Sequence, residues 1–238
     1  MSSVFCRYDL RTTDADAARA FYSEAVGLHF PSGSPPEESL LAVWPLHEQA
    51  RARGAPAHWL GQIGVPDVEV AVARLLALGG ERLGPTVRAQ DGTLYATLRD
   101  PAGAVVAVRA SSARPKRAPV AWHQLNTRDA TRAWSVYSEL CAWVQTETLA
   151  VAGLDGGYRM FAWDASSPSV GAMANTARRP EIHPHWLYFF PVAELDDKLA
   201  RVRARGGQVL GSPVVLPNGA RIAPCQDPQG AAFGLFQA

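Results

Sequence analysis

Residues 7–28 read RYDLRTTDADAARAFYSEAVGL, and residues 122–143 read WHQLNTRDATRAWSVYSELCAW. Set one above the other at an offset of 115, they align Leu10, Thr12, Asp14, Tyr22, Ser23 and Glu24 with Leu125, Thr127, Asp129, Tyr137, Ser138 and Glu139. A second echo runs at an offset of 127. It aligns His58-Trp59-Leu60 with His185-Trp186-Leu187, Gly79-Gly80 with Gly206-Gly207, and Asp100-Pro101-Ala102-Gly103 with Asp227-Pro228-Gln229-Gly230. The chain is therefore an internal duplication, and the second copy carries the longer middle segment, 144–184 against 29–57. We read two modules, 1–110 and 120–238, joined by 111–119, whose SSARPKRAP composition suits an exposed linker. Two related modules in one chain imitate a homodimer about a pseudo-twofold axis.

Each module opens on an alternating segment, Val4 to Arg11 or Val120 to Asn126, which predicts a strand with two distinct faces. Asp14 and Asp129 then stand as helix N-caps ahead of apolar stripes at helical spacing. Further strands are expected at Leu40 to Trp44, Tyr158 to Trp163 and Val170 to Met173, and at His58 to Val65 and His185 to Val192. The last two lead into helices opened by Asp67 or Glu194 and closed by paired glycines. Each module ends in strands bracketed by turns. Asp91-Gly92 and Asn218-Gly219 signal two-residue hairpins, and Asp-Pro-x-Gly signals a type I turn.

Composition narrows the function classes. A net charge of +1 gives no footprint for nucleic acid, and no apolar run reaches a membrane span, so neither partner is expected. Cys6, Cys141 and Cys225 form no CxxC pair and are odd in number, which predicts reduced thiols. The opening MSSVFCRYDL lacks a secretory pattern, so the expected location is cytoplasmic. No Gly-x-Ser-x-Gly or phosphate loop is present.

Three segments, each repeated, carry a family resemblance: TTDADAARAFYSEAVGL, HWLGQIGVPDVEVAVARLLALGG and YATLRDPAGAVVAVR, with TRDATRAWSVYSELCAW, HWLYFFPVAELDDKLARVRARGG and APCQDPQGAAFGLFQ in the second module. Together they resemble the vicinal oxygen chelate superfamily, which includes glyoxalase I, bleomycin-resistance proteins and extradiol dioxygenases. The resemblance implies an α+β fold of paired βαβββ units, with curled mixed sheets around cavities and helices outside. It also implies where metal ligands stand in the superfamily's enzymes. Those positions fall here on Arg7 and Trp122, Leu60 and Leu187, and Ala107 and Gly234. None is an ordinary donor to a divalent cation. No cofactor is expected, and a metal would enter only if the strand register were shifted by one residue.

Strand alternation nominates what would line the cavities instead. Arg7, Asp9, Arg11 and Gln62 give the first a charged lining, with the arginines able to hold an anionic group. The competing reading is an internal Asp9–arginine pair. Trp122, Gln124, Asn126, Leu187, Phe189 and Phe236 give the second an aromatic and amide lining, against which stands ordinary core packing. Asp9 and Arg11 are the candidate catalytic pair, Asp9 as general base. His183 and His185 offer an HxH pair without a completing carboxylate, His123 faces the core, and His58 shares a structural task with His185. The leading expectation is a metal-independent small-molecule-binding protein, as a monomer with pseudo-twofold symmetry or a homodimer. A glyoxalase-like lyase, isomerase or dioxygenase-type enzyme and a ligand-free interaction module are the alternatives.

Overall fold

The structure is a computed structural model, and it describes residues 3–30, 39–52, 54–89, 91–111, 115, 118–151, 153–216 and 218–238. Most of the linker read at 111–119 lies outside the described residues. The first module folds as β1 (Phe5–Thr12), α1 (Ala15–Phe21), β2 (Leu41–Pro45), α2 (Glu48–Ala52), β3 (His58–Val65), α3 (Val68–Ala77), β4 (Glu81–Arg82), β5 (Val87–Arg88), β6 (Leu94–Arg99) and β7 (Val105–Ala110). The second follows as β8 (Trp122–Asn126), α4 (Ala130–Cys141), β9 (Val144–Val151), β10 (Leu154–Ala162), β11 (Gly171–Ala174), β12 (His185–Pro191), α5 (Leu195–Ala204), β13 (Gln208–Val209), β14 (Val214–Val215), β15 (Arg221–Gln226) and β16 (Ala232–Gln237). The fold is α+β, with one mixed sheet per module. The first runs β2-β1-β3-β7-β6-β4 with β5 on β6, and the second β13-β15-β16-β12-β8-β11-β10-β9 with β14 on β15.

Local chemistry sets these boundaries. Asp14, Asp67 and Asp129 sit in extended backbone, and each accepts a hydrogen bond from the amide three residues on. Glu194 holds the same place without a side-chain cap, and the Leu195 amide donates to Gln237 Oε1 instead. The Asp-Pro-x-Gly turns are closed by their own aspartates. Asp100 Oδ1 accepts from the amides of Ala102 and Ala104, and Asp227 Oδ1 from those of Gln229 and Ala231.

Two features depart from the sequence expectation. The hairpin loops are longer than two residues. Their closing pairs are Ala89/Thr93 and Leu216/Ala220, so Gly92 and Gly219 (φ 78° and 85°) take the left-handed position that ends a three-residue loop. The long middle segment of the second module also supplies β9, hydrogen-bonded to β10. Its side chains are mostly exposed, so it carries none of the apolar alternation by which a strand is recognised.

Packing divides the chain differently from the repeat. One compact unit consists of Met1–Arg7, Gly61–Lys116 and His123–Trp186, and the other of Tyr8–Leu60, Arg117–Trp122 and Leu187–Ala238. Apart from the opening residues of each module, each unit takes the first half of one module and the second half of the other.

Unit 1 is centred on Trp143, whose ring stacks on Tyr137 and Phe161 and meets Trp163 and Trp186 at steeper angles. Phe5 and the fully buried His123 join this group as a stacked pair, centroids 4.9 Å apart. In unit 2, Tyr22 packs edge-on against Trp59 and Phe233, and Trp59 against Phe190. The same polar relay runs through both cores. In unit 2 Trp59 Nε1 donates to the Tyr22 hydroxyl, which donates to Asp227 Oδ2 at 3.1 Å. In unit 1 Trp186 Nε1 donates to Tyr137, which donates to Asp100 Oδ2 at 3.1 Å. Burial raises the pKa of both tyrosines and both aspartates, with the facing partner adding to the tyrosine shift.

Candidate functional site

In unit 2, β1 delivers Asp9 and Arg11 to one face. The parallel pairing with β2 sets Ala42 beside Asp9 and Trp44 beside Arg11. Asp9 is buried, and its Oδ2 accepts from Arg11 Nη2 at 3.3 Å. The Arg11 side chain remains 25% exposed, with its Cζ 5.8 Å from the Trp44 ring centroid. Trp44 Nε1 is buried and has no hydrogen-bond partner among the described residues.

His58 opens β3, and its Nδ1 lies 2.9 Å from the Pro56 carbonyl oxygen. A carbonyl can only accept, so Nδ1 carries the proton and Nε2 presents a lone pair. Burial, and secondarily the positive charge of Arg11, lower the His58 pKa, which keeps the ring neutral.

The duplication builds an equivalent cluster in unit 1, where amides replace the charges. Gln124 stands for Asp9, Asn126 for Arg11, His185 for His58, and Ala174, paired with Asn126, for Trp44. His185 Nδ1 donates to the His183 carbonyl at 2.8 Å, and its Nε2 accepts from Asn126 Nδ2 at 3.1 Å. Asn126 Oδ1 accepts from Gln124 Nε2 at 2.8 Å and from the Thr176 hydroxyl at 2.6 Å. This circuit is closed. Both ring nitrogens of His185 are committed, so the HxH pair offers no free His185 donor to a metal.

The remaining nominated residues divide between the units. Arg7 and Gln62 belong to unit 1, where both are buried. Gln62 Oε1 accepts from Arg109 Nη1, and Arg109 is ion-paired with Asp91. Burial pushes the Asp91 carboxyl up, but hydrogen bonds from Thr93 and the charge of Arg109 outweigh it and hold the pKa below its ordinary value. Trp122, Leu187, Phe189 and Phe236 belong to unit 2 with Asp9 and Arg11. The compact units group these residues differently from the modules. The charged Asp9–Arg11 pair shares its unit with the aromatic residues, and the amides Gln124 and Asn126 share theirs with Arg7 and Gln62.

Across β12 and β16 Phe189 faces Gly234, and a methyl group built on Gly234 would fall 2.1 Å from Phe189 Cδ1. The ring thus fills the space that a side chain at position 234 would need. Trp122 is 3% exposed, and its Nε1 is a second buried indole N–H without a partner among the described residues. Among those residues, no three His, Cys, Asp or Glu side chains come together as a set that could hold a metal ion. The side chains at the six aligned positions do not fit one either.

Sequence reasoning offered an internal pair of Asp9 with an arginine as one of two alternatives, and Arg11 donates to Asp9. It did not find Trp44 or the availability of His58 Nε2. The signal for His58 was its match to His185, read only as structural. Both rings do share that structural task, each bonded to a carbonyl two residues earlier.

With this geometry in view, the comparisons with known proteins are consistent from end to end. The sequence model of a family described as "Glyoxalase-like domain" matches residues 6–109. That of the "Glyoxalase/Bleomycin resistance protein/Dioxygenase superfamily" matches residues 119–235. A Mycobacterium tuberculosis protein with the provisional name glyoxylase CFP32 is 27% identical, over 96% of this chain and 92% of its own length. The anthracycline biosynthesis protein DauV of Streptomyces sp. (strain C5) is 26% identical, over 77% of this chain and 67% of its own. Among solved structures, the Mn(II)-bound glyoxalase from Novosphingobium aromaticivorans superposes with a TM-score of 0.65 at 13% identity, covering 100% of this chain and 83% of that one. The 2,3-dioxygenase LapB from Pseudomonas sp. KL28 gives 0.65 at 14%, covering 98% and 91%. At such identities the structural likeness speaks for the fold alone.

Proposed function

The chain is a tandem member of the glyoxalase/bleomycin resistance protein/dioxygenase superfamily, and from that premise we propose that it binds a small organic molecule through its own side chains, without a divalent metal. The observation that carries this reading is the chemistry of the six aligned ligand positions. They hold Arg7, Leu60, Ala107, Trp122, Leu187 and Gly234, and the Phe189 ring fills the space beside Gly234. A cation in that place would find no thiolate, imidazole or carboxylate. In its stead unit 2 offers an arginine, buried indole donors and aromatic surface, the equipment for holding a planar ligand. The similarity to a protein named for anthracycline biosynthesis agrees with a ligand of this kind.

The test is metal content. Untagged protein incubated in turn with Mn(II), Fe(II) and Zn(II), then desalted, is expected to retain less than about a tenth of an equivalent of each, whereas a resident site would hold close to one. Near-stoichiometric retention of any of these metals would end the metal-free reading.

A catalytic reading has one observation behind it, the acidic and basic groups gathered around Arg11 in unit 2. In that version Asp9 and Arg11 act on the bound molecule in a lyase- or isomerase-type step. Replacement of Asp9 by Asn with turnover intact would remove Asp9 from it.

A further inference from the structure

The duplication supplies an internal control. Two histidines sit at matching places, each with Nδ1 tied to a carbonyl two residues back. In unit 1 every hydrogen-bonding atom of the imidazole is satisfied by the protein itself. In unit 2 the matching partner is Arg11, which donates to Asp9 and, among the described residues, makes no hydrogen bond to His58, so the circuit that Asn126 closes in unit 1 stays open. Among the described residues, Arg11 makes one side-chain hydrogen bond, through Nη2 to Asp9. Its Nε and Nη1 donors remain unused, as do Trp44 Nε1 and the His58 Nε2 lone pair. Buried polar atoms such as Trp44 Nε1 are ordinarily paired. In the twin cluster the matching positions are satisfied by the protein, whereas here a buried indole N–H and the free edge of a partly exposed guanidinium are left for another molecule to use.

We propose that the Asp9–Arg11–Trp44–His58 cluster of unit 2 binds a planar organic acid that carries a hydroxyl donor as well as its acidic group. The free edge of the Arg11 guanidinium receives a carboxylate in its fork, with Asp9 fixing the guanidinium from the other side. Trp44 contributes its indole N–H to the same oxygens and its ring as the neighbouring surface. His58 Nε2 accepts from the ligand's hydroxyl, because the bond to Pro56 leaves it only a lone pair to offer. The proposal rests on the metal-free reading above and adds to it the chemical class of the ligand.

Calorimetric titration of the full chain with 3-hydroxybenzoate, benzoate and 3-hydroxybenzamide tests it. The 3-hydroxyl cannot fold back onto its own carboxylate, so it is free to reach the imidazole. The expected result is saturable binding of 3-hydroxybenzoate, with benzoate and 3-hydroxybenzamide weaker by about tenfold each, the usual effect of one lost hydrogen bond to a charged or buried group. Arg11→Gln should weaken 3-hydroxybenzoate by tenfold or more, and Trp44→Phe by several-fold, on the same basis. His58→Phe should make 3-hydroxybenzoate and benzoate equal. Arg11→Gln leaves Asp9 without this partner, so Arg11→Lys is measured beside it. That variant keeps the charge and loses the fork, and it too should bind weakly.

Three compounds of equal affinity would overturn the proposal, as would unchanged binding in Arg11→Lys and His58→Phe. Absence of saturable binding by all three would also overturn it. Each of these results leaves the metal-free reading standing, because that reading fails only on metal retention.

Discussion

His123 is the residue whose surroundings most directly set a measurable property. Its ring is fully enclosed, stacked on Phe5 and bonded through Nδ1 to the Val170 carbonyl at 3.0 Å. Burial lowers its pKa to about 4. The folded state therefore holds this imidazole neutral where the unfolded chain, with an ordinary value near 6.5, takes up a proton. Because the folded pKa is depressed, the unfolded state binds more protons between about pH 6.5 and pH 4, and stability must fall as the pH falls through that window. His58 and His185, whose pKa values are also lowered, act in the same direction. Urea unfolding at pH 7.5 and pH 4.5 should show wild type losing on the order of 2–3 kcal/mol from His123 alone. His123→Phe keeps the backbone bond from residue 123 to the Val170 carbonyl and should show a shallower pH dependence. An equally steep dependence in the variant would mean that His123 is not the group responsible. The parity of β8 made this core role legible in the sequence. The neighbours that set the pKa, Phe5 and Val170, lie far away in the chain and were not.

Between elements, the decisive contact is the relay from a strand tryptophan through a helix tyrosine to a turn aspartate, present once in each unit. Its three components were visible in the sequence as repeated residues: Trp59 and Trp186, Tyr22 and Tyr137, Asp100 and Asp227. Their partnership was not visible, because a tyrosine and an aspartate 205 residues apart share no local pattern. Tyr22→Phe or Tyr137→Phe keeps the ring and strands an indole N–H and a carboxylate oxygen, which should cost about 1–3 kcal/mol each in chemical denaturation. The two relays have no partner in common, so the double variant should lose the sum to within about 0.5 kcal/mol. A loss well short of the sum would show the relays to be coupled. Elements whose apolar spacing was strong, such as β3 and the helices, emerged as expected. The exposed strand β9 did not, because its stability comes from pairing with β10 and not from its own composition.

At the scale of the whole chain, repeat and packing are different partitions. The family matches follow the modules, residues 6–109 and 119–235, while each compact unit is assembled from half of each. Residues 1–111 expressed alone would contain Tyr22 without Asp227 and Asp100 without Tyr137. Such a fragment should be poorly folded by circular dichroism, or should self-associate to re-create the missing contacts. Mixing it with residues 118–238 should restore the fold. A monomeric, cooperatively folded 1–111 fragment would refute the dependence of each unit on both modules.

By itself the sequence determined the duplication, the order of most elements, the capped helix starts and the Asp-Pro-x-Gly turns. Only the tertiary structure decided which half of each module packs with which, and which of two matching polar clusters is complete. Both depend on contacts between residues distant in the chain: a buried polar group is satisfied or not according to what the fold brings within about 3 Å of it, and that distance is a property of the packed molecule.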